Sequence, residues 1–485
     1  MIAVPITERT TTTALAAAAN ALVRADLVEF RLDLMDDFDL PGLLAAHRDC
    51  AIVTARPARQ GGRWPGSERA RVSVLRDAIR LGAAYVDVEL DSIHEFAAKG
   101  ASTLIVSHHD FTRTPDDLPA ILMRMVGAGA DVAKFACLVR DQSDNLKLLS
   151  LLERKPIPVI ALGMGERGLP SRILGAKLGG FLTFASLDAA SESAPGQPTL
   201  TELLDLYACR SITPSTVVYG VIGKPIAHSV SPAIMNRAFR ACGLDAVYLP
   251  FLVDEPCAFV RAFDKLDVRG YSVTIPHKES VMALLDEVDP LAAKVGAVNT
   301  LHRRDGKWFG ANTDLPAVVS VIENALSPLR RSLSGARVLI LGAGGAARSM
   351  VAGLVAAGAS VSVANRTHKR AVRLAADLAA TAVPLDRVSG LDFDVIANAT
   401  SVGMTPDVDA TPLGPDAFRP GQVVFDAVYN PLETRFLREA RLRGAVVASG
   451  IEMFLGQAAR QFELWTGRTA PLDCMRQTLM ERLAK

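Results

Sequence analysis

The chain has 485 residues, of which 49% are hydrophobic and 22% charged. That length exceeds what a single hydrophobic core organises, so more than one domain is expected. The formal net charge of +1 excludes a global field that would gather nucleic acid or an anionic membrane. The six cysteines, at 50, 137, 209, 242, 257 and 474, form no Cys-x-x-Cys pair. Neither a disulfide framework nor a metal site is expected, and a reducing, cytoplasmic setting is the simplest reading.

Met1 runs straight into Ile2-Ala3-Val4-Pro5-Ile6, which reads as a first strand without a signal or transit peptide. The apolar run Leu15–Val23 is Ala-rich and too short to span a membrane. Eight strands are expected in the first 190 residues: Ala3–Ile6, Leu27–Leu32, Ala51–Ala55, Tyr85–Glu89, Ser102–Ser107, Asp131–Ala136, Pro158–Ala161 and Phe181–Phe184. Helical patterns such as Glu68–Leu81 and Asn145–Leu152 lie between them. Strand–helix alternation implies parallel strands, so the α/β pattern predicts a compact (β/α)8 barrel, with an open doubly wound sheet as the alternative.

Catalytic groups of such a barrel belong at the C-terminal ends of its strands. Those ends carry Glu29, Arg31, Arg56, Glu89, His108, His109 and Lys134. Lys134 sits between apolar residues in Ala130-Asp-Val-Ala-Lys-Phe-Ala. Burial would disfavour its ammonium and leave an amine able to form an imine with a ketone. Read alone, it is equally a structural lysine with a carboxylate partner. His109 can serve as acid and base.

Ser186–Gln197 reads as a loop, Leu200–Tyr207 as a helix and Arg210–Ser215 as a linker, after which the strand Val217–Ile222 opens a second half. The layout predicted is a barrel over 1–212 and a two-lobed α/β dehydrogenase over 213–485. Its substrate lobe would take 217–316 plus 452–485, and its Rossmann-type nucleotide lobe 317–451. The strand Val338–Leu341 runs into Gly342-Ala343-Gly344-Gly345-Ala346-Ala347. In Gly342-x-Gly344-x-x-Ala347 the first Gly permits the tight turn. The second admits a pyrophosphate to the helix N-terminus, and Ala347 keeps strand and helix close. The next strand, Ser360–Ala364, ends in Asn365-Arg366-Thr367, with Arg370 beyond. A carboxylate there would repel a 2′-phosphate, whereas guanidinium groups hold one, so NADP is favoured over NAD.

Polar clusters mark the second half: His228-Ser229-Val230-Ser231-Pro232, Val273-Thr274-Ile275-Pro276-His277-Lys278, Gly296-Ala297-Val298-Asn299-Thr300, Asn312-Thr313-Asp314, and Gln457 in Gly450-Ile-Glu-Met-Phe-Leu-Gly-Gln. Singly each could be turn or cap chemistry. Together they resemble shikimate dehydrogenase over 217–485. The resemblance implies that Ser229 and Ser231 bind a substrate carboxylate. It also implies that Thr274, Asn299, Asp314 and Gln457 bind ring hydroxyls, and that Lys278 and Asp314 form the catalytic pair. Gly342, Ala343, Gly344, Gly345 and Ala346 would carry the pyrophosphate, Asn365, Arg366, Thr367 and Arg370 the 2′-phosphate side, and Tyr429 and Gly450 the cofactor cleft. Asn398-Ala-Thr-Ser-Val-Gly-Met404 and Asp426-x-x-Tyr429-x-Pro431 match segments of that cleft. One departure is Pro316 near a position where the family has Gly, which would shift the following helix.

The first half resembles type I 3-dehydroquinate dehydratase over 1–210. The strings that carry the likeness are Glu29-Phe-Arg31, Thr54-Ala-Arg56-Pro, Ser107-His-His109-Asp-Phe, Lys134, Ser171-Arg172 and Ser193-Ala-Pro-Gly-Gln197, with Met164 at a pocket position. By that likeness Lys134 makes a Schiff base and His109 moves protons. Arg172, Ser193 and Gln197 would hold the carboxylate and hydroxyls, while Glu29, Arg31 and Arg56 line the pocket. The departure here is Gln60 before Gly61-Gly62, where the family has a Glu that orients the histidine.

The two likenesses imply consecutive steps: 3-dehydroquinate to 3-dehydroshikimate, then NADPH-dependent reduction to shikimate. No metal, nucleic acid or membrane partner is implied, and oligomeric state stays open. A quinate dehydrogenase fusion is the nearest rival, against which Ser231 speaks by leaving less room for an extra hydroxyl. A non-catalytic metabolite sensor is disfavoured by the retention of Lys134, His109, Lys278 and Asp314.

Overall fold

A computed structural model of the chain describes residues 1–96, 100–153 and 155–483. It divides into two compact units, 1–218 with 245–267, and 219–244 with 268–485. Among the described residues no helix is long and apolar enough to cross a membrane.

In the first unit all eight expected strands form: β1 (Ile2–Ile6), β2 (Leu27–Arg31), β3 (Ala51–Thr54), β4 (Tyr85–Glu89), β5 (Thr103–Asp110), β6 (Val132–Leu138), β7 (Val159–Met164) and β8 (Thr183–Phe184). They pair in chain order from β1 to β7, and β8 returns to pair with β1. All of these ladders are parallel. The Phe181 N–H donates to Val159 O at 2.9 Å, which joins the approach of β8 to β7. The sheet therefore curls into a nearly closed barrel, and the open-sheet alternative is not what forms. Strands such as β1, β2 and β3 are buried at every position, as a sheet covered on both faces requires.

Three strands, β5, β6 and β7, run further than the apolar pattern indicates. β5 and β6 stay paired through His109–Ala136 and Asp110–Cys137, so His109 lies within its strand. Backbone pairing continues there because the neighbouring strand supplies partners, whatever the side chains are. Helices shift by small amounts for local reasons. The helix Gln142–Ser150 starts before the expected Asn145 because the Asp141 side chain accepts from the Ser143 N–H. The expected helix at Leu200–Tyr207 is a π-helical turn over Glu202–Leu206.

The remaining strands are β9 (Val217–Gly223), β10 (Ala246–Leu252), β11 (Val268–Val273), β12 (Glu287–Val288), β13 (Thr300–Arg304), β14 (Lys307–Ala311), β15 (Arg337–Leu341), β16 (Ser360–Ala364), β17 (Thr381–Ala382), β18 (Val395–Asn398), β19 (Val423–Asp426) and β20 (Val446–Ser449). β10 falls in the stretch grouped with the first unit. In the second unit β9, β11, β13, β14 and β12 lie side by side in that order. The last six strands form a parallel sheet, β17–β16–β15–β18–β19–β20. This is the doubly wound order, and its switch point between β15 and β18 opens a crevice at the strand C-termini. Helix Asp314–Leu326 begins at Asp314 itself, with Pro316 in the first turn. A first-turn residue needs no N–H partner, so the proline is accommodated without displacing the helix start.

Candidate active sites

In the barrel, period-two alternation sends every second strand residue inward. Glu29, Arg31, Arg56, His109, Lys134, Arg172, Ser193 and Gln197 all line one cavity of about 500 Å³, together with Gln60 and Met164. Of the polar residues expected at the strand ends, Glu89 and His108 do not line it. Lys134 is buried, and its Nζ donates to Asp87 Oδ2 at 2.8 Å and Glu29 Oε1 at 3.4 Å, with the Phe184 ring centroid 4.1 Å away. The carboxylate partner that the sequence leaves open for Lys134 is present, and there are two of them. The ammonium has two carboxylate partners that compensate it.

Asp87 was not singled out from the sequence. It is fully buried and accepts from Lys134, from Arg56 at 2.9 Å and from Ser107 Oγ at 2.6 Å. Burial would raise its carboxyl, but Arg56 and Lys134 outweigh that and hold it well below the usual carboxylate range. Arg56 also pairs with Glu89 at 2.7 Å, and Glu89 with the buried Arg71. A ladder of alternating charge therefore runs beneath the lysine. The available signal was alternation: in Tyr85-Val-Asp87-Val-Glu89 the two acids share a face.

His109 is held differently from expectation. Its backbone N–H, not its imidazole, donates to Gln60 Oε1 at 2.9 Å. Among the described residues its Nδ1 has no partner, and the ring stacks on Phe111 with centroids 6.2 Å apart. Burial, with Arg56 and Lys134 nearby, lowers its pKa well below 6.5. Arg172 is buried and donates through Nε to Gly163 O at 2.7 Å. Among the described residues no carboxylate lies within ion-pairing distance of it, and burial pushes its pKa down to about 10. A buried, unpaired guanidinium is a receptor for an anion. Ser193 Oγ donates to Gln197 Oε1 at 2.9 Å, which fixes the two residues to each other.

In the second unit Ser229, Ser231, Thr274, Lys278, Asn299, Asp314 and Gln457 line one cleft of about 1410 Å³, and Ala346, Tyr429 and Gly450 line it too. Lys278 Nζ donates to Asp314 Oδ2 at 2.6 Å. Asn299 Oδ1 accepts from the Thr313 N–H at 2.8 Å and Thr300 Oγ1 at 2.7 Å. Gln461, also missed, lines the cleft one turn after Gln457. It accepts from Ser272 Oγ at 2.6 Å and donates to Asn299 O at 3.1 Å. Its i, i+4 spacing from Gln457 was the signal that could have found it.

The turn Gly342–Ala347 leaves β15 and opens the helix Gly345–Ala356, as expected. Gly342 has φ 116°, and a Cβ there would lie 3.0 Å from Thr400 Cγ2 and 3.2 Å from the Ala399 backbone, whereas Gly344 and Gly345 face open space. This is the shape a pyrophosphate needs against a helix N-terminus. Asn365, Arg366, Thr367 and Arg370 follow β16; Arg366, Thr367 and Arg370 are exposed, and Asn365 Nδ2 donates to Thr367 O at 3.0 Å. None of these four lines the substrate cleft; they follow Ala364, whose carbonyl accepts from the Gly342 N–H at 2.8 Å. At the end of β19, Asp426 accepts from Asn398 Nδ2 at 2.9 Å and Thr434 Oγ1 at 2.6 Å, and burial raises its pKa to about 6.

Residues 2–214 match the type I 3-dehydroquinase family. Residues 221–301 match the shikimate dehydrogenase substrate binding domain, 323–405 the shikimate/quinate 5-dehydrogenase family and 450–480 the shikimate 5′-dehydrogenase C-terminal domain. The chloroplastic bifunctional 3-dehydroquinate dehydratase/shikimate dehydrogenase of Arabidopsis thaliana is 44% identical over 93% of this chain and 79% of its own length. The NADP(+) shikimate dehydrogenase of Bacillus cereus is 42% identical over 55% of this chain and 98% of its own. A crystal structure of Thermus thermophilus shikimate 5-dehydrogenase with NADP(H) and shikimate is 37% identical over 55% of this chain and 99% of its own, with a TM-score of 0.50. With 93% of its length matched by the bifunctional Arabidopsis relative, the chain belongs to the bifunctional 3-dehydroquinate dehydratase/shikimate dehydrogenase family.

Proposed function

We propose that residues 1–212 dehydrate 3-dehydroquinate through an imine on Lys134, and that 213–485 reduce the resulting 3-dehydroshikimate with NADPH. The observation that carries the first half is the convergence of Lys134, His109 and Arg172 on one cavity. Arg172 takes the substrate carboxylate. Lys134 attacks the ketone and water leaves, giving an iminium ion in place of the ammonium. Asp87 and Glu29, already paired with the ammonium, stabilise that cation equally, so the site needs no rearrangement as charge forms. The iminium withdraws electrons from the adjacent carbon. His109, kept neutral by burial and neighbouring cations, takes the proton there and returns it to the departing hydroxyl. Hydrolysis of the imine frees Lys134.

In the second half Ser229 and Ser231 hold the substrate carboxylate, while Thr274, Asn299 and Gln457 hold its hydroxyls. NADPH, when bound, supplies the hydride. Gly342 to Ala346 hold its pyrophosphate, Arg366 and Arg370 its 2′-phosphate, and Tyr429 and Gly450 bound its inner end. Negative charge develops on the carbonyl oxygen as it is reduced. Lys278 stabilises and protonates that oxygen, held in place by Asp314 at 2.6 Å. The cytoplasm is the setting we favour, since the six cysteines are free thiols. Borohydride added with 3-dehydroquinate tests the reading. A stable adduct on the Lys134 peptide is expected; an active protein without it would refute the imine.

A further inference from the structure

Asn312 is buried, and its side chain meets three different parts of the second unit. Its Oδ1 accepts from the Asp314 N–H at 3.2 Å. Its Nδ2 donates to Ala297 O at 2.9 Å and to Ser349 Oγ at 3.2 Å. An amide facing an N–H at one end and a carbonyl at the other has only one satisfactory orientation.

Each partner matters. Asp314 receives Lys278 at 2.6 Å. Ala297 precedes Val298, whose N–H donates to Lys278 O at 2.9 Å, and Asn299, which lines the cleft. Ser349 is fully buried in the helix Gly345–Ala356, four residues beyond the glycine that opens it. The residue before it, Arg348, donates through Nε to Val295 O at 2.7 Å. Arg348 of the dinucleotide helix thus grips the segment that holds Asn299 and the Lys278 backbone, and Ser349 beside it holds Asn312. Asn312 links this grip to the backbone of Asp314.

We propose that Asn312 is a positioning residue that sets the Lys278–Asp314 pair in register with the dinucleotide helix, and so with the position from which hydride arrives. It touches neither substrate nor cofactor. Its action is geometric, and a displacement of about 1 Å at reacting groups can cost on the order of a hundredfold in rate. The inference rests on Lys278 and Asp314 being the catalytic pair.

The test is steady-state kinetics of shikimate oxidation by the full chain, with Lys278→Ala, Asn312→Ala, Ser349→Ala and the double variant Asn312→Ala/Ser349→Ala. Lys278→Ala checks the underlying reading; a rate close to that of the unaltered chain would sink that reading separately. Asn312→Ala should lower kcat about tenfold to a hundredfold while the KM for NADP changes less than about threefold. Ser349→Ala, a smaller change, should lower kcat about twofold to fivefold. In the Asn312→Ala background it should cost nothing further, because the bond it breaks is already gone. Dehydration of 3-dehydroquinate by the same proteins should be unchanged. The proposal is overturned if kcat is unaffected in both single variants, if the KM for NADP rises in step with the loss of kcat, or if the two losses multiply. If Asn312→Ala fails to fold, Ser349→Ala decides alone: unchanged kcat overturns the proposal, and lowered kcat at constant KM for NADP supports it.

Discussion

Replacing Asp87 by asparagine keeps its volume and one oxygen but removes the charge that faces Lys134 at 2.8 Å and Arg56 at 2.9 Å. With an effective dielectric of about 20, opposite charges at that separation attract by about 6 kcal/mol. Most of this is compensated, since Glu29 still lies 3.4 Å from Lys134 and Glu89 still pairs with Arg56. The net worth of a charge-assisted hydrogen bond, about 1.5–3 kcal/mol, is the better measure of what the iminium loses. That converts to a fall of roughly tenfold to 150-fold in kcat/KM for dehydration. The same substitution breaks a buried pair, for which about 3–5 kcal/mol of stability is an upper bound here. Thermal unfolding monitored on the same protein separates the two effects. The assay is the rise of enone absorbance from 3-dehydroquinate, with shikimate oxidation as an internal control. A folded Asp87→Asn protein that keeps kcat/KM within threefold would refute the argument that this carboxylate stabilises the cation on Lys134.

Three further outcomes are expected. Lys278→Ala should abolish shikimate oxidation and spare dehydration, and Lys134→Ala the reverse; loss of both activities by either folded variant would contradict the assignment of one site to each half. Arg366→Ala should raise the KM for NADP about tenfold or more, the scale of one charge-assisted contact, with little change for NAD; equal changes would mean that Arg366 does not meet the 2′-phosphate. The third concerns pH. His109 has a pKa well below 6.5, so its base form persists as pH falls through that value, and the acidic limb of dehydration kcat/KM lies below it. A carboxylate at position 60 favours the imidazolium, so Gln60→Glu should move that limb upward by about one unit or more. Superimposable limbs would show that position 60 is not coupled to the imidazole.

Much of this molecule could be read from its sequence, because the decisive features are local. The eight barrel strands are short apolar runs of the length a parallel sheet buries, and the nucleotide turn needs glycine where φ is 116° at Gly342. The pocket residues of both halves lie in short contiguous strings, some on strands, as Glu29, Arg31, His109 and Lys134 do, and some on helices, as Arg172 and Gln457 do. What escaped notice depends on neighbours distant in sequence. Asp87 reads as one polar residue in a strand; only the register placing β4 beside β5, and β5 beside β6, brings it to Lys134. That Gln60 takes the backbone N–H of His109 follows from how its loop packs.

The central claim is that one chain carries out both steps in succession. Purified protein given 3-dehydroquinate and NADPH, with no other enzyme present, should consume NADPH after a brief lag and accumulate shikimate. If 3-dehydroshikimate supports NADPH consumption by that protein but 3-dehydroquinate does not, the dehydratase half of the account is wrong.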